Sequence, residues 1–213
     1  MTTPTFFPEI TRCNSYEKKP CGSYYGYSRY HDQISSDCMH RCVYCDILIT
    51  ETGGEDCALD HFRPQEKFPG LKNDPNNLVI SCSKCNRLKS SHWPVPIDQA
   101  HTHDGISGFI DPFIVKRQDY FRIEPSGEVV SLKPPSTYLI KLMNLNRPTR
   151  VSIRKKRILE ARISKLLLLT DQILAEVEPV FIANQASASD IEKFKAARQA
   201  ISDIAEIRAM MGK

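Results

Sequence analysis

Apolar positions fall in short, interrupted runs through the first two thirds of this chain and take up helical spacing only in the last third. Residues 1–37 are polar, aromatic and punctuated. Cys21-Gly22-Ser23-Tyr24-Tyr25-Gly26-Tyr27 keeps no helical period and predicts an irregular arm, followed by a short helix through the thirties. The arm's tyrosines are read as covering a core edge, with base stacking as the alternative. Residues 46–50 and 57–61 predict short strands either side of a turn at 51–56. Leu78-Val79-Ile80 predicts another strand, and Cys85 to about Ser91 a short helix. The loop between, with Pro64, Pro69, Gly70 and Pro75, is long enough to suggest function. Residues 108–112, 120–123 and 128–132 predict strands, the last two joined by the turn Pro125-Ser126-Gly127. Ser136 is placed to cap a helix reaching about Leu145.

Pro148 opens a long helix to the region of Val177, and the leucines at 166–169 predict burial on more than one side. Ser189-Asp190-Ile191-Glu192 has the form of a capping box. The Ile191, Phe194, Ala197, Ile201 and Ile204 stripe behind it predicts an antiparallel partner for the long helix, or else a face for another protein. The pattern is α+β. It divides into an arm (1–37), a core (38–95), a hairpin extension (96–146) and a helical region (147–213).

Composition removes several classes. With 213 residues, 41% hydrophobic and 25% charged, the chain is neither disordered nor collagenous. The aliphatic run at 166–169 falls far short of the roughly 20 residues a spanning helix needs. Met1-Thr2-Thr3-Pro4 lacks a basic segment followed by an apolar one, so the expected location is the cytoplasm. The net charge of +4 conceals a basic stretch, because residues 147–165 carry eight cations and one acid. On a helix Arg147, Arg150, Arg154 and Arg157 would form one stripe. That stripe is expected to track a phosphate backbone, with a solvated face as the alternative.

Eight cysteines without a secretion leader argue for metal or reactive thiols. Cys42-Val43-Tyr44-Cys45 and Cys82-Ser83-Lys84-Cys85 are two knuckles. Together they can hold one structural Zn²⁺ in a closed tetrahedral sulfur site. A redox pair is the alternative. Cys13, Cys21, Cys38 and Cys57 have no such spacing, although Cys38 is near enough to Cys42 to substitute.

Between the knuckles stand Asp60-His61 and Asn77, and Asn86 directly follows Cys85. This ordered set resembles the HNH endonucleases, the zinc-stabilised ββα-metal nucleases, over residues 42–89. The resemblance implies that His61 is a general base and that Asp60 and Asn86 hold a catalytic Mg²⁺ or Mn²⁺. It also implies that Asn77 orients the His61 loop. The third family position is often histidine, and the amide oxygen of Asn86 favours a hard cation. The chemistry is consistent: phosphodiester hydrolysis needs a water made nucleophilic near neutral pH and positive charge at the phosphate. Arg63, Lys67 and Lys89 are placed to contact phosphates.

The flanks are similar to a narrower group. His61-Phe62-Arg63-Pro64, Asn86-Arg87-Leu88-Lys89, Ile110-Asp111-Pro112-Phe113 and Leu145-Asn146-Arg147-Pro148 resemble the PtuB-type HNH nucleases of Septu and some retron antiphage systems. This implies a partner ATPase and a nucleic-acid substrate, DNA ahead of RNA, tRNA included. A non-catalytic zinc module binding nucleic acid or protein is the rival reading.

Overall fold

The computed structural model of the chain describes residues 4–53 and 56–212. The chain divides into two compact units, one of them Phe6–Ile153 and the other containing Arg154–Lys213. The architecture is α+β, as the pattern predicts.

In the first unit, helix α1 (His31–Asp37) precedes the first knuckle. Strands β1 (Cys57–His61) and β2 (Leu78–Cys82) pair antiparallel, with Leu59 opposite Ile80 and His61 opposite Leu78. Helix α2 (Ser83–Lys89) begins as soon as β2 ends, which makes a ββα unit. All five β2 residues are buried. One edge of β2 pairs with β1, and on its other side the Val43 amide donates to the Ile80 carbonyl at 3.0 Å. The first knuckle therefore covers an edge that would otherwise expose unpaired backbone. Strands β3 (Phe121–Ile123) and β4 (Val129–Ser131) form the second hairpin, and its turn uses Gly127 at φ +89°. Helix α3 (Ser136–Leu142) follows. Asn144 ends it in the left-handed conformation, φ +44°, a usual way to stop a helix. The Asn146 side chain then pairs with the Val129 backbone in both directions, at 2.7 and 2.9 Å, and ties this link to β4.

The amino-terminal arm belongs to this core. Phe7 is buried against Phe121, ring centroids 5.1 Å apart. Arg117 donates to the carbonyls of Val43 and Pro8 at 2.7 and 2.9 Å. Arg12 donates to the carbonyls of Pro75 and Leu78 at 3.0 and 3.2 Å. Tyr24 and Tyr25 pack against the core edge, as expected, Tyr16 and Tyr24 meet Tyr30 edge-on, and Tyr27 is 36% exposed.

Helix α4 (Pro148–Ile182) runs from the first unit into the second, and helix α5 (Ala188–Met210) returns antiparallel to it. Within the second unit Ile163 packs with Ile204 and Ile207, and Phe181 with Phe194 at 5.4 Å.

Several sequence expectations are corrected. Residues 46–50 are not a strand. Cys42 and Asp46 close a tight turn around the sulfurs, with Asp46 at φ +64°, and a single 3-10 turn (Ile49–Glu51) follows. Residues 108–112 make one bridge, His103 to Gly108, before Asp111 turns the chain by accepting from the Phe113 amide. Ser136 is the first residue of α3, not its cap. The capping box of α5 is Ser187 with Asp190, two residues before the predicted start. Leu167, Leu168 and Leu169 are 39–44% exposed, because a hairpin of two helices can cover only one face of each. Part of the predicted turn, Gly54 and Glu55, lies outside the described residues. Among the described residues no helix is long and apolar enough to cross a membrane.

Candidate functional site

Strand β1 ends at His61, which frees the chain to turn Asp60 and His61 into one cleft of about 240 Å³. Asn86 and Lys89 enter it from α2, Tyr27 from the arm, and Pro64 to Glu66 from the loop. His61 Nε2 lies 2.8 Å from the Lys72 carbonyl. A carbonyl only accepts, so Nε2 carries the hydrogen and Nδ1 of the neutral ring keeps its lone pair. The Tyr27 ring meets the imidazole edge-on at 5.0 Å, and the Tyr27 amide donates to Asn73 Oδ1 at 3.2 Å, beside Lys72. Arm and loop together fix the ring.

Asn77 acts as a length of backbone. Its Oδ1 accepts from the Arg63 amide at 2.8 Å, and its Nδ2 donates to the Arg63 carbonyl at 2.9 Å. Its own carbonyl accepts from the Phe62 amide at 2.8 Å. These bonds extend the β1–β2 pairing past His61 and hold the loop that bears it.

Asp60 is buried and shares its two oxygens. The Tyr44 hydroxyl donates to Oδ2 at 2.7 Å, and the Lys89 ammonium donates to Oδ1 at 3.0 Å. Lys89, only 1% exposed, also donates to the His61 carbonyl at 2.7 Å. Burial pushes the Asp60 carboxyl above its ordinary range, while the Lys89 charge and the Tyr44 hydrogen bond pull it back. Each oxygen retains a second lone pair. Asn86 also lines this cleft, and its amide oxygen with the Asp60 carboxylate would make a hard, oxygen-based donor set of the kind that fits Mg²⁺ or Mn²⁺.

Lys89→Met removes the cation from this buried pair. The expected cost is about 3–5 kcal/mol, because Asp60 is left as an uncompensated charge. A buried carboxyl with a raised pKa is held more tightly in its protonated form by the folded state. The variant's stability therefore falls as pH rises above the ordinary carboxylate pKa. Denaturant unfolding at about pH 5 and about pH 8 reads both effects, and wild-type stability at the higher pH would contradict them.

Arg63 and Lys67 both reach from their loop to the segment at residues 93–100. Arg63 donates to the Ala100 carbonyl and lies over the Trp93 ring at 5.0 Å; Lys67 donates to the Trp93 carbonyl at 3.3 Å. Tyr44, Tyr27 and the Lys72 carbonyl escaped sequence reasoning. Tyr44 alone left a signal, as a polar-tipped aromatic held between two knuckle cysteines.

The four knuckle sulfurs, all buried, converge within 4.8 Å of one another. Cys45 and Cys82 sulfurs are 3.8 Å apart. Four sulfurs at about 2.3 Å from a tetrahedral ion would be separated by roughly the same distance, so the site fits Zn²⁺. All eight cysteines are free thiols rather than disulfides. Cys38 is no substitute ligand: it accepts from the Ile80 amide at 3.4 Å, and burial pushes its thiol up to about 11.

Two arginines face these sulfurs, contrary to the expected phosphate-tracking stripe. Arg147 Nη2 lies 3.7, 3.6 and 3.6 Å from the sulfurs of Cys45, Cys82 and Cys85. Arg150 Nη2 lies 3.4 Å from Cys82. The two residues are 8% and 5% exposed; Arg154 is also buried and Arg157 half-buried. Buried guanidiniums make little sense against neutral thiols and good sense against thiolates.

Residues 42–92 match the HNH endonuclease family model. The chain therefore carries an HNH endonuclease domain, with the ββα unit and both knuckles inside it. The Septu protein PtuB of Bacillus thuringiensis is 34% identical over 53 residues, 25% of this chain and 20% of that protein. The Septu protein PtuA of Bacillus mycoides is 25% identical over 134 residues, covering 54% of this chain and 18% of PtuA. The CRISPR-associated endonuclease Cas9 of Actinomyces naeslundii is 46% identical over 50 residues, 24% of this chain and 4% of Cas9. The chain thus spans about a fifth or less of these curated relatives. No solved structure matches it significantly.

Proposed function

We propose that this chain is a divalent-metal-dependent endonuclease that hydrolyses phosphodiester bonds in DNA, and that it serves antiphage defence alongside a partner ATPase. The observation that carries the reading is His61, with Nε2 tied to the Lys72 carbonyl and the ring set in one cleft with Asp60 and Asn86. In this role His61 Nδ1 takes the proton of the attacking water, and the Lys72 carbonyl steadies the imidazolium that forms. Asp60 and Asn86 would hold Mg²⁺ or Mn²⁺, which supplies positive charge to the scissile phosphate and leaving oxygen. Lys89 and Tyr44 keep Asp60 in place. Arg63 and Lys67, on the loop that walls the cleft, are proposed to meet flanking phosphates. One Zn²⁺ on Cys42, Cys45, Cys82 and Cys85 braces the core. The defence role and the ATPase partner rest on the likeness to PtuB and PtuA.

The test is supercoiled plasmid incubated with the purified protein, with Mg²⁺ and with EDTA. Nicking is expected with Mg²⁺ alone. Cleavage that survives EDTA overturns the metal dependence, and cleavage of tRNA but not plasmid moves the substrate to RNA.

A further inference from the structure

Arg147 and Arg150 flank Pro148, the first residue of α4, and the nuclease chemistry does not use them. Arg147 divides its guanidinium between two tasks. Nη1 donates to the Met143 and Asn144 carbonyls, both at 3.2 Å, and satisfies the end of α3. Nη2 points into the sulfur cluster and reaches three of the four sulfurs, while Arg150 reaches Cys82, already one of those three. A Zn²⁺ with four thiolates carries a net charge of −2, and all four sulfurs are buried. Two guanidiniums bring the buried group to neutrality. Arginine suits the task, because its planar fork can serve the α3 carbonyls and the sulfurs at once and it is weakly hydrated.

We propose that Arg147 and Arg150 form the outer cation pair of the zinc centre, neutralising its charge and damping the nucleophilicity of its thiolates. The same contacts hold the first turn of α4 against the knuckles. Hydrogen bonds from N–H groups withdraw electron density from sulfur, so a thiolate that accepts them attacks electrophiles more slowly. The outer partners of a metal site typically change its affinity tenfold to a hundredfold.

The inference rests on zinc occupying the four-cysteine site, so the zinc content of the wild type is measured first. Arg147→Met and Arg150→Met keep most of the side-chain volume and remove the charge and the donors. Zinc release on treatment with N-ethylmaleimide, followed with a chromogenic zinc chelator, is expected to be at least about tenfold faster in either variant. Arg147→Lys and Arg150→Lys keep the charge and lose the fork, and should fall between. These milder variants carry the test if a methionine variant does not fold. In Co²⁺-substituted protein, the sulfur-to-metal charge-transfer band should move to longer wavelength when donors are removed, which a purely structural role would not produce. A wild type that takes up neither zinc nor Co²⁺ overturns the metal centre and the cation pair with it. A zinc-loaded wild type whose folded variants release metal at the same rate, with the band unmoved, overturns the cation pair alone.

Discussion

His61→Ala should retain its fold and its zinc while losing at least about a hundredfold in the rate of plasmid cleavage. Removing a general base costs typically 10²–10⁴-fold. The structural loss is small by comparison: one hydrogen bond to the Lys72 carbonyl, worth about 1 kcal/mol, and the edge contact with Tyr27. The cysteine cluster lies at the other end of the β1–β2 pairing, since Cys57 opposes Cys82 there and His61 opposes Leu78. Initial nicking rates with Mg²⁺, beside zinc content and a thermal melt, separate the two effects. A folded, zinc-loaded variant that cleaves within tenfold of wild type would remove His61 from the chemistry.

Cys82→Ala should do the opposite and fail as a fold before it fails as an enzyme. Cys82 ends β2, precedes the first residue of α2, and receives both arginines. Its loss leaves three sulfurs, and two guanidiniums face a cluster with less negative charge. Structural zinc contributes about 10–16 kcal/mol of apparent binding energy to small metal-dependent folds. Losing even a third of that approaches the whole stability of an ordinary domain. Near-complete zinc loss and a fall in unfolding free energy of more than about 3 kcal/mol are expected by metal assay and denaturant titration. A zinc-free variant melting with the wild type would refute a structural role for the site.

The ββα unit was legible because its signals are local. Paired cysteines, an Asp-His step before a proline-broken loop and an asparagine at its far end all fall within residues 42–89. The basic stretch shows where such reading runs out. Recurrence at three and four residues places Arg147 and Arg150 on one face of a helix, but it does not say what that face meets. The missing consideration was charge balance, since four buried thiolates on one Zn²⁺ would carry a net charge of −2 and call for cations from elsewhere in the chain. The arm's particular partners were illegible for a related reason. Phe7, Arg12 and Tyr27 find their partners far along the chain, at Phe121, Leu78 and His61, and no periodicity records such pairings. The leucines at 166–169 misled because helical spacing does not reveal how many faces a neighbour covers.

The Arg147 contact also sets a timetable for biosynthesis. A ribosome releases Cys85 well before Arg147, which lies 62 residues later. At about 5–20 residues per second the interval is roughly 3–12 s. Until it ends, the sulfur cluster lacks the cation that reaches three of its sulfurs. The arm waits as well, because Pro8 is held by Arg117, 109 residues downstream. The core is thus completed late, after strand β1, which carries Asp60 and His61, has already emerged. For the same reason the HNH segment would transplant poorly into another host protein, since the parts that finish it lie before residue 42 and beyond residue 92.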